Sequence, residues 1–262
     1  MDLGVANGVY LTAASTSGLG RAVATALARD GATVWIGSRK DESVHETVAE
    51  MESTGWSAGG SVLDVTDPRS ISDWVAAALG TYGRIDGLLV NAGGPPPGTF
   101  ESFTDHDWQM GFELTLLSTV RLIREVLPTM KRQRSGSILV ITSSSILEPI
   151  DRLILSGVMR SGVANLVKTL SREMGAHGIR INNIVPGRID TPRVQYLEKS
   201  TAKERGITTD EVRAEHDNKV PLGRCGTIDE FGNVGAFLLS PAGSYVTGEM
   251  VVVDGGVRRG VW

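Results

Sequence analysis

A glycine-rich turn near the start of the chain has the composition of a phosphate-binding loop. Gly18 and Gly20 lie in the run Ser15-Thr16-Ser17-Gly18-Leu19-Gly20, after an apolar stretch and at the start of a helix-like stretch. Glycines let the backbone turn tightly and approach a phosphate group at the N-terminus of a helix. The glycine pair alone is a weak signal, and the strand expected before it makes the signal stronger. This turn therefore predicts a nucleotide site.

Two cations and a hydroxyl stand at the end of the second apolar stretch. An enzyme that prefers NAD usually presents an acid there to the ribose 2′-hydroxyl. This chain has Ser38, Arg39 and Lys40 instead, and these side chains suit a 2′-phosphate. The alternative is that Arg39 is a solvated charge at a strand end. We favour the phosphate-binding interpretation and predict NADP rather than NAD as the cofactor.

The elements that must position these residues follow from hydrophobic periodicity. The predicted strands are 8–14, 32–38, 60–65, 85–91, 136–143, 179–185 and 249–253. The predicted helices are 18–30, 42–53, 68–80, 104–130, 155–176 and 227–240. Several strands are apolar on successive residues, which suits a sheet covered by helices on both faces. We predict a single α/β domain over residues 1–262, built on a doubly wound parallel sheet of the Rossmann type.

The segment 191–220 interrupts this alternation with a mixture of charges and predicts one or two short helices. It is either a solvated surface insertion or a lid over the substrate. Its position beyond the carboxyl end of a strand favours the lid. Tyr196 lies in this segment, where it could swing over the site.

The composition indicates a globular protein with a small-molecule ligand. Hydrophobic residues make up 41% of the 262 residues, and the formal net charge is -4. With no long basic run, this charge argues against nucleic acid or an anionic membrane as the main partner. Cys225 is the single cysteine, the four histidines lack metal-ligand spacing, and no leader or membrane-spanning stretch stands out. We therefore expect a soluble, cytoplasmic protein that needs no metal.

Further short motifs follow the glycine-rich turn in a fixed order. They are Asp64 within Leu63-Asp64-Val65-Thr66, then Asn91-Ala92-Gly93, Pro186-Gly187 and Val253-Asp254-Gly255-Gly256. Their order and spacing resemble the short-chain dehydrogenase/reductase family along essentially the whole chain. The resemblance implies contacts with the cofactor phosphates, adenine, ribose and nicotinamide. The cofactor-binding residues predicted in this way, together with those at the end of the second strand, are Ser15, Ser17, Gly18, Leu19, Gly20, Ser38, Arg39, Asp64, Val65, Asn91, Ala92, Gly93, Arg160, Pro186 and Gly187.

One departure from the family falls in the first turn. The family usually has threonine and then glycine where this chain has Ala13 and Ala14. Ala14 is harmless if its φ is negative, and otherwise its methyl group crowds the pyrophosphate. Thr12 could take the threonine's place only if the loop has gained one residue. A loop that no longer holds a dinucleotide is the remaining alternative.

The resemblance also implies a catalytic site, which is altered in this chain. In the family a serine precedes a tyrosine by thirteen positions, a lysine follows the tyrosine by four, and an asparagine lies in the preceding long helix. The tyrosine transfers a proton and the lysine lowers its pKa. Aligning Ser143 with that serine places Ser156, Arg160 and Thr115 at the other three positions, and no tyrosine occurs between residues 83 and 195. The catalytic tetrad is therefore degenerate.

Ser156 and Arg160 are one helical turn apart, so they should share a helix face. Serine is a much weaker acid than a phenol, and arginine stays charged, so it can bind a ribose or an anion but cannot shuttle protons. Four functions remain open. The first is a reductase like the 3-oxoacyl-carrier-protein reductases, in which water, the cofactor ribose or another side chain supplies the proton. The second is a non-redox enzyme in which Arg160 holds an anion. The third is a binding subunit without turnover, and the fourth is a protein that binds no nucleotide. We favour the first, acting on a small carbonyl substrate as a homodimer or homotetramer through the helices at 104–130 and 155–176.

Overall fold

Seven parallel strands form one sheet in this computed structural model, which describes residues 2–260. The spatial order is β3-β2-β1-β4-β5-β6-β7, and every neighbouring pair is parallel. The strands are β1 (Val9–Thr12), β2 (Thr33–Ser38), β3 (Ala58–Val62), β4 (Gly87–Val90), β5 (Gly136–Ile141), β6 (Ile179–Pro186) and β7 (Met250–Val253). The predicted fold class, a doubly wound parallel sheet in a single domain, is confirmed.

The third strand lies earlier in the chain than the predicted 60–65. It begins at Ala58, and the next residue, Gly59, lies against the ring of Trp35, which a Cβ there would meet. It ends at Val62 because the chain turns at Asp64, whose carboxylate accepts hydrogen bonds from the backbone and side chain of Thr66. Small residues that carry no strand signal therefore form the start of β3.

Helices cover both faces of the sheet. They are α1 (Gly18–Arg29), α2 (Asp41–Ser53), α3 (Pro68–Tyr82), α4 (Asp105–Gly111), α5 (Ser118–Gln133), α6 (Ile154–Met174), α7 (Pro192–Arg205), α8 (Thr209–Asp217) and α9 (Ile228–Leu239). On one face α1, α2 and α9 pack around residues such as Leu27 and Phe231. On the other, α3, α5 and α6 pack around residues such as Trp74 and Leu122. The sheet is thus buried on both sides, as its continuous apolar strands predict.

The predicted helix 104–130 is a continuous helical segment with an irregular centre. Thr104 and Asp107 cap its start reciprocally, with the Thr104 N–H donating to Asp107 at 2.8 Å and the Asp107 N–H donating to Thr104 at 3.3 Å. Between α4 and α5 the chain forms a π-helical turn over Phe112–Leu117. Such turns are rare and occur often at functional sites. This turn contains Thr115.

The strand order reverses beside β1. β1 pairs with β2 on one side and with β4 on the other. The connection that leaves β1 runs to β2, and the connection that leaves β4 runs to β5, in the opposite direction across the sheet. Open α/β sheets bind ligands in the crevice at such a switch point. A ligand site is therefore expected at the residues that follow β1 and β4.

The segment beyond β6 forms two helices, α7 and α8, that pack on each other. Two helices agree with the secondary structure expected for residues 191–220. Their function as a lid stays a prediction. Within the part of the chain that the structure describes, no helix is both long and apolar enough to cross a membrane.

Candidate active site

The turn after β1 keeps a left-handed residue although it has no glycine there. Ala14 has φ 48°, so the negative φ at which its methyl group would be harmless is not adopted, and the methyl group occupies a position that usually favours glycine. The Ala14 carbonyl accepts a hydrogen bond of 3.2 Å from the side-chain amide of Asn91, which follows β4. A Cβ on Gly20 would strike that same carbonyl. Asn91 and Gly20 thus hold the turn closed across the switch point.

The N-terminus of α1 leaves its first backbone N–H groups available. Ser17 is the N-cap residue, with φ -158°, and its side chain makes no capping hydrogen bond. At α9, by contrast, Thr227 accepts a hydrogen bond from the Glu230 N–H. A helix N-terminus with free N–H groups attracts a phosphate. Ser17, Gly18 and Leu19 are therefore in the position expected for phosphate contacts.

Ser15 has a different role from the other residues of the turn. Its hydroxyl donates to the Thr12 carbonyl at 2.6 Å and accepts from the Gly37 N–H at 3.3 Å. The side chain is fully buried. Ser15 therefore ties the turn to β2 through its side chain.

The end of β2 presents the predicted cations to solvent. Arg39 and Lys40 are both exposed. Ser38 is half-buried and its Oγ accepts a hydrogen bond of 3.2 Å from Thr16 of the turn. The cluster therefore lies beside the glycine-rich turn, with its two cations free to meet a phosphate.

Asp64 and Val65 close the same end of the site. Hydrogen bonds from Thr66 to the Asp64 carboxylate, of 2.9 and 2.7 Å, lower the pKa of Asp64, and the nearby charge of Arg39 adds to the effect. The Asp64 N–H donates to Ser70 at 2.9 Å. Val65 is buried. The Asp64 side chain is thus held in place as an ionised acceptor.

The crevice is open at Gly93 and closely packed at Gly187. A Cβ on Gly93 would have no neighbour within 4 Å. A Cβ on Gly187 would strike Asp254, and the Gly187 N–H donates to the Val253 carbonyl at 2.9 Å. Pro186 ends β6 directly before it. The family motifs at the ends of β6 and β7 are therefore in contact.

Ser156 and Arg160 form a buried pair on α6. Arg160 Nε donates to Ser156 Oγ at 3.2 Å, and Nη1 donates to the carbonyls of Ile141 at 2.8 Å and Thr142 at 3.4 Å. Burial lowers the pKa of Arg160 to about 10. No carboxylate pairs with Arg160 anywhere in residues 2–260, and its Nη2 has no hydrogen-bond partner there. The guanidinium therefore joins Ser156 to the carboxyl end of β5.

Ser143 follows that strand end directly. Its Oγ accepts hydrogen bonds from the N–H and the hydroxyl of Ser145, at 3.2 and 3.0 Å. Ser156 likewise accepts from Arg160, and neither Ser143 nor Ser156 donates its hydroxyl proton to an acceptor among the described residues. Each hydroxyl thus has a proton to offer to a ligand oxygen. The pair could bind a carbonyl oxygen or an oxyanion.

Thr115 is not part of this hydrogen-bonded group. It lies in the π-helical turn that packs against α6, and its buried Oγ1 has no hydrogen-bond partner in the described part of the chain. Its carbonyl accepts from Thr119 Oγ1 at 2.8 Å. The structure therefore links Ser143, Ser156 and Arg160 at one strand end and leaves Thr115 outside their hydrogen bonds.

Comparison with known proteins assigns the chain to a family. A family model described as enoyl-(acyl carrier protein) reductase matches residues 13–258. Dehydrogenase/reductase SDR family member 4 of Oryctolagus cuniculus is 33% identical over 253 residues, which cover 96% of this chain and 94% of the relative. The chain belongs to the short-chain dehydrogenase/reductase family.

Other members of the family match over nearly their full length. The 3-oxoacyl-(acyl-carrier-protein) reductase of Thermotoga maritima is 31% identical, with 95% of this chain and 97% of the relative covered. The crystal structure of L-sorbose reductase from Gluconobacter frateurii, in complex with NADPH and L-sorbose, is 28% identical, with a TM-score of 0.95 and complete coverage of both chains. An actinorhodin polyketide ketoreductase with NADPH is 28% identical, with a TM-score of 0.92 and coverage of 97% and 98%. The fold is therefore that of the family throughout.

Sequence reasoning missed the contacts at the base of α7 and α8. Arg188, next to the family's Pro-Gly motif, pairs at 2.6 Å with the buried Glu198 of α7. Asp190 pairs at 2.6 Å with Arg213 of α8. The charges of this segment were visible in the sequence, but their partners depend on how the two helices fold back. Both helices are thus attached to the loop that leaves β6.

Tyr196 is an exposed residue of α7 in this structure. Its side chain is 63% exposed, and the guanidinium of Arg193 lies 5.9 Å from the centre of its ring. Its predicted movement over the site remains untested.

Proposed function

We propose that this protein is an NADP-dependent reductase of a ketone, of which a 3-oxoacyl thioester is one candidate, with a catalytic site that lacks the family's phenol. The observation that carries the proposal is the intact turn at the switch point. Ala14 keeps the left-handed conformation, and its carbonyl accepts a hydrogen bond from Asn91. Gly20 has no Cβ that would strike that carbonyl. The positive φ is the case in which the methyl group of Ala14 crowds the pyrophosphate, so we infer that the strained conformation is retained because the turn binds a ligand.

The residues present fit NADP. The free N–H groups at the start of α1 suit the pyrophosphate, and the crevice has room beside Gly93. Arg39 and Lys40 are exposed cations that suit the 2′-phosphate. The solved relatives that are described as NADPH complexes support the same choice. When bound, NADPH would supply the hydride that reduces the carbonyl carbon.

The chain's own residues act on the carbonyl oxygen in this proposal. Ser143 and Ser156 donate hydrogen bonds to it, and the charge of Arg160, delivered through its hydrogen bond to Ser156, stabilises the negative charge that develops there. Water supplies the proton that completes the alcohol, because a serine hydroxyl is too weak an acid to replace a phenol. We expect such a site to be slower than that of a complete family member.

The assembly and location expected from the sequence belong to the same proposal. Partly buried apolar residues of the π-helical turn and α6 suit a homodimer or homotetramer. The single cysteine, Cys225, is buried and fits a reducing, cytoplasmic location.

The experiment is a measurement of NADPH binding and of NADPH oxidation with small ketones and 3-oxoacyl thioesters. We expect binding by calorimetry, slow oxidation with at least one ketone, and slower oxidation still in Ser156→Ala. Binding without oxidation of any substrate by a folded protein would leave a binding function. Absence of NADPH binding would contradict the proposal as a whole.

A further inference from the structure

Arg160 is a buried cation without a counter-charge. The residue is only 8% exposed, and none of the ion pairs within residues 2–260 includes it. Burial alone lowers the pKa of Arg160 to about 10, and no neighbouring acid raises it again. Taking a charge out of water costs free energy unless a partner replaces the lost interactions. The site of Arg160 therefore favours an anion that the described part of the chain does not supply.

Other partly buried arginines have their partners within the chain. Arg121 and Arg188 each pair with a glutamate, at 2.8 and 2.6 Å. Arg180 has no carboxylate partner in the described residues, but both of its terminal nitrogens donate to backbone carbonyls, at 2.9 to 3.4 Å. In Arg160 only Nε and Nη1 donate, and Nη2 has no partner in the part of the chain that the structure describes. A structural role thus accounts for two of the three nitrogens.

The free nitrogen lies on the edge of the guanidinium that faces Ser156. In a planar guanidinium, Nε and Nη2 present parallel N–H groups along one edge, which is the fork that matches a carboxylate. Nε donates to Ser156 Oγ at 3.2 Å, so an acceptor bound to Nη2 lies beside that hydroxyl. Nη2 is not fully buried, and a ligand can therefore reach it.

The serines add further donors beside the cation. Nη1 of Arg160 donates to the Thr142 carbonyl at 3.4 Å, and Ser143 is the next residue. The hydroxyls of Ser143 and Ser156 accept hydrogen bonds and donate to no acceptor among the described residues. The free groups of this cluster are therefore two hydroxyl protons and one cationic N–H group. Such a set is complementary to two neighbouring oxygens, of which one carries a negative charge.

We propose that Arg160 binds a carboxylate of the substrate, and that the protein reduces 2-oxo acids in preference to neutral ketones. A 2-oxo acid carries its carboxylate directly on the carbonyl carbon. The carboxylate can therefore bind Nη2 of Arg160 while the carbonyl oxygen binds Ser143 and Ser156. The product is the 2-hydroxy acid, with the hydride of NADPH on the carbonyl carbon and a proton from water on the oxygen. This inference rests on the proposed function for the chemistry at the carbonyl group.

The test measures ligand binding by calorimetry in the presence of NADP⁺, which has no hydride to transfer. It compares 2-oxohexanoate with 2-oxohexanamide, in which a neutral amide replaces the carboxylate. We expect the acid to bind about ten- to a hundredfold more tightly, because the amide cannot accept charge-assisted hydrogen bonds of the same strength. Arg160→Gln should abolish this difference. Arg172→Gln, which removes an exposed positive charge from the same helix, should retain it.

The same titrations without nucleotide separate this inference from the proposed function. A preference for the acid that is lost in Arg160→Gln supports the carboxylate site even if no NADPH is oxidised. Oxidation of NADPH with neutral ketones, without a preference for the acid, supports the proposed function alone.

Two results overturn the inference. The first is equal affinity for acid and amide, or no binding of either, which would leave Nη2 to the neutral ribose hydroxyls of the nucleotide. The second is a preference that persists in Arg160→Gln, which would show that another cation binds the carboxylate. If Arg160→Gln does not fold, Arg160→Lys keeps a charge but lacks the fork, and it should reduce the preference; an unchanged preference in Arg160→Lys would likewise overturn the inference.

Discussion

We propose that the choice between NADP and NAD depends on Arg39. It is exposed at the end of β2, next to the turn that would hold the phosphates. We expect Arg39→Asp to weaken NADPH binding by about ten- to a hundredfold, through loss of charge-assisted hydrogen bonds, and to leave NADH binding little changed. Calorimetry with both nucleotides measures this. Arg69→Asp, at an arginine that is 90% exposed on α3, is the control. Equal weakening of NADPH and NADH would show that Arg39 does not read the 2′-phosphate.

A second prediction concerns Thr115, Ser156 and Arg160, which we propose stand at three catalytic positions of the family. We expect the triple variant Thr115→Asn, Ser156→Tyr, Arg160→Lys to oxidise NADPH with ketones about a hundredfold to ten-thousandfold faster than the wild type, because it regains a positioned general acid. Ser156→Tyr alone should gain less. Arg160 can lower the pKa of a phenol by its charge, but its planar fork is committed to the carbonyls at the end of β5.

The outcome of that comparison decides between functions. A triple variant that folds and binds NADPH but gains no activity would mean that the site has diverged beyond these positions. A non-redox or binding function would then be the better explanation. A wild type as fast as the triple variant would reveal another proton donor.

At the level of single residues, sequence spacing correctly placed Ser156 and Arg160 on one face of α6. It could not predict that Arg160 donates to Ile141 and Thr142, because that choice depends on packing between α6 and β5. Nor could it settle Ala14, whose methyl group left both signs of φ open. The structure shows a positive φ, and the hydrogen bond from Asn91 is the long-range contact that stabilises it.

The attachment of α7 to the loop after β6 allows a test of the lid. Glu198 is buried and pairs with Arg188, so Glu198→Ala leaves an unpaired, partly buried cation. We expect backbone amides of α7 to exchange at least tenfold faster in this variant. Hydrogen exchange followed by mass spectrometry measures it. The matched control is Glu215→Ala, since Glu215 pairs with Arg205 at the same 2.6 Å but on the surface.

If α7 and α8 are a lid, NADPH should slow their exchange in the wild type. Strong and uniform protection of 191–220 without nucleotide would rule this out. Activity of Tyr196→Phe tests whether Tyr196 contributes a proton, and hydrogen exchange of the same variant shows whether α7 is unchanged.

The N-terminal cap of α9 gives a prediction about pH. Arg224 and the hydrogen bonds with Thr227 lower the pKa of Glu230 from 4.5 to about 2. A folded-state pKa below the unfolded value means that this stabilisation is present above about pH 4.5 and is lost as the pH falls towards 2. We expect Glu230→Gln to lose less stability than the wild type between pH 6 and pH 3. Urea unfolding at the two pH values measures this, with the exposed Glu101→Gln as the control; equal losses in Glu230→Gln and the wild type would contradict the prediction.

The elements themselves were largely predictable, since their periodicities differ clearly. The exceptions have local causes. The start of β3 contains Gly59 and Gly60, which carry no strand signal, and the π-helical turn preserves an apolar face that resembles an ordinary helix. Periodicity therefore finds the elements and misses the turn that carries Thr115.

Across the whole molecule, the strand order accounts for the location of the site. The two apolar clusters fix which helices lie on each face, and the reversal beside β1 opens the crevice between the turns at Ala14 and Asn91. The strand order and the placement of the helices were predictable because alternating strands and helices allow few topologies. The contact between residues 149–154 and the loop after β4 was not, since it depends on a backbone bridge between Gly98 and Leu153, which are distant in sequence.

The final prediction concerns the assembly. A groove of about 410 Å³ runs between the π-helical turn and α6, and Leu116 and Leu166 are among its partly buried lining residues. A helix face of this kind suits a symmetric contact with a second copy, in which the same patch is used twice. We expect Leu166→Glu to convert a dimer into a monomer, or a tetramer into a smaller species, in sedimentation velocity. Val62→Glu, at a valine that is 41% exposed on the edge strand β3, should leave the assembly unchanged. If Leu166→Glu keeps the wild-type sedimentation coefficient, the copies associate through another face. A wild-type monomer would show that this groove needs no partner.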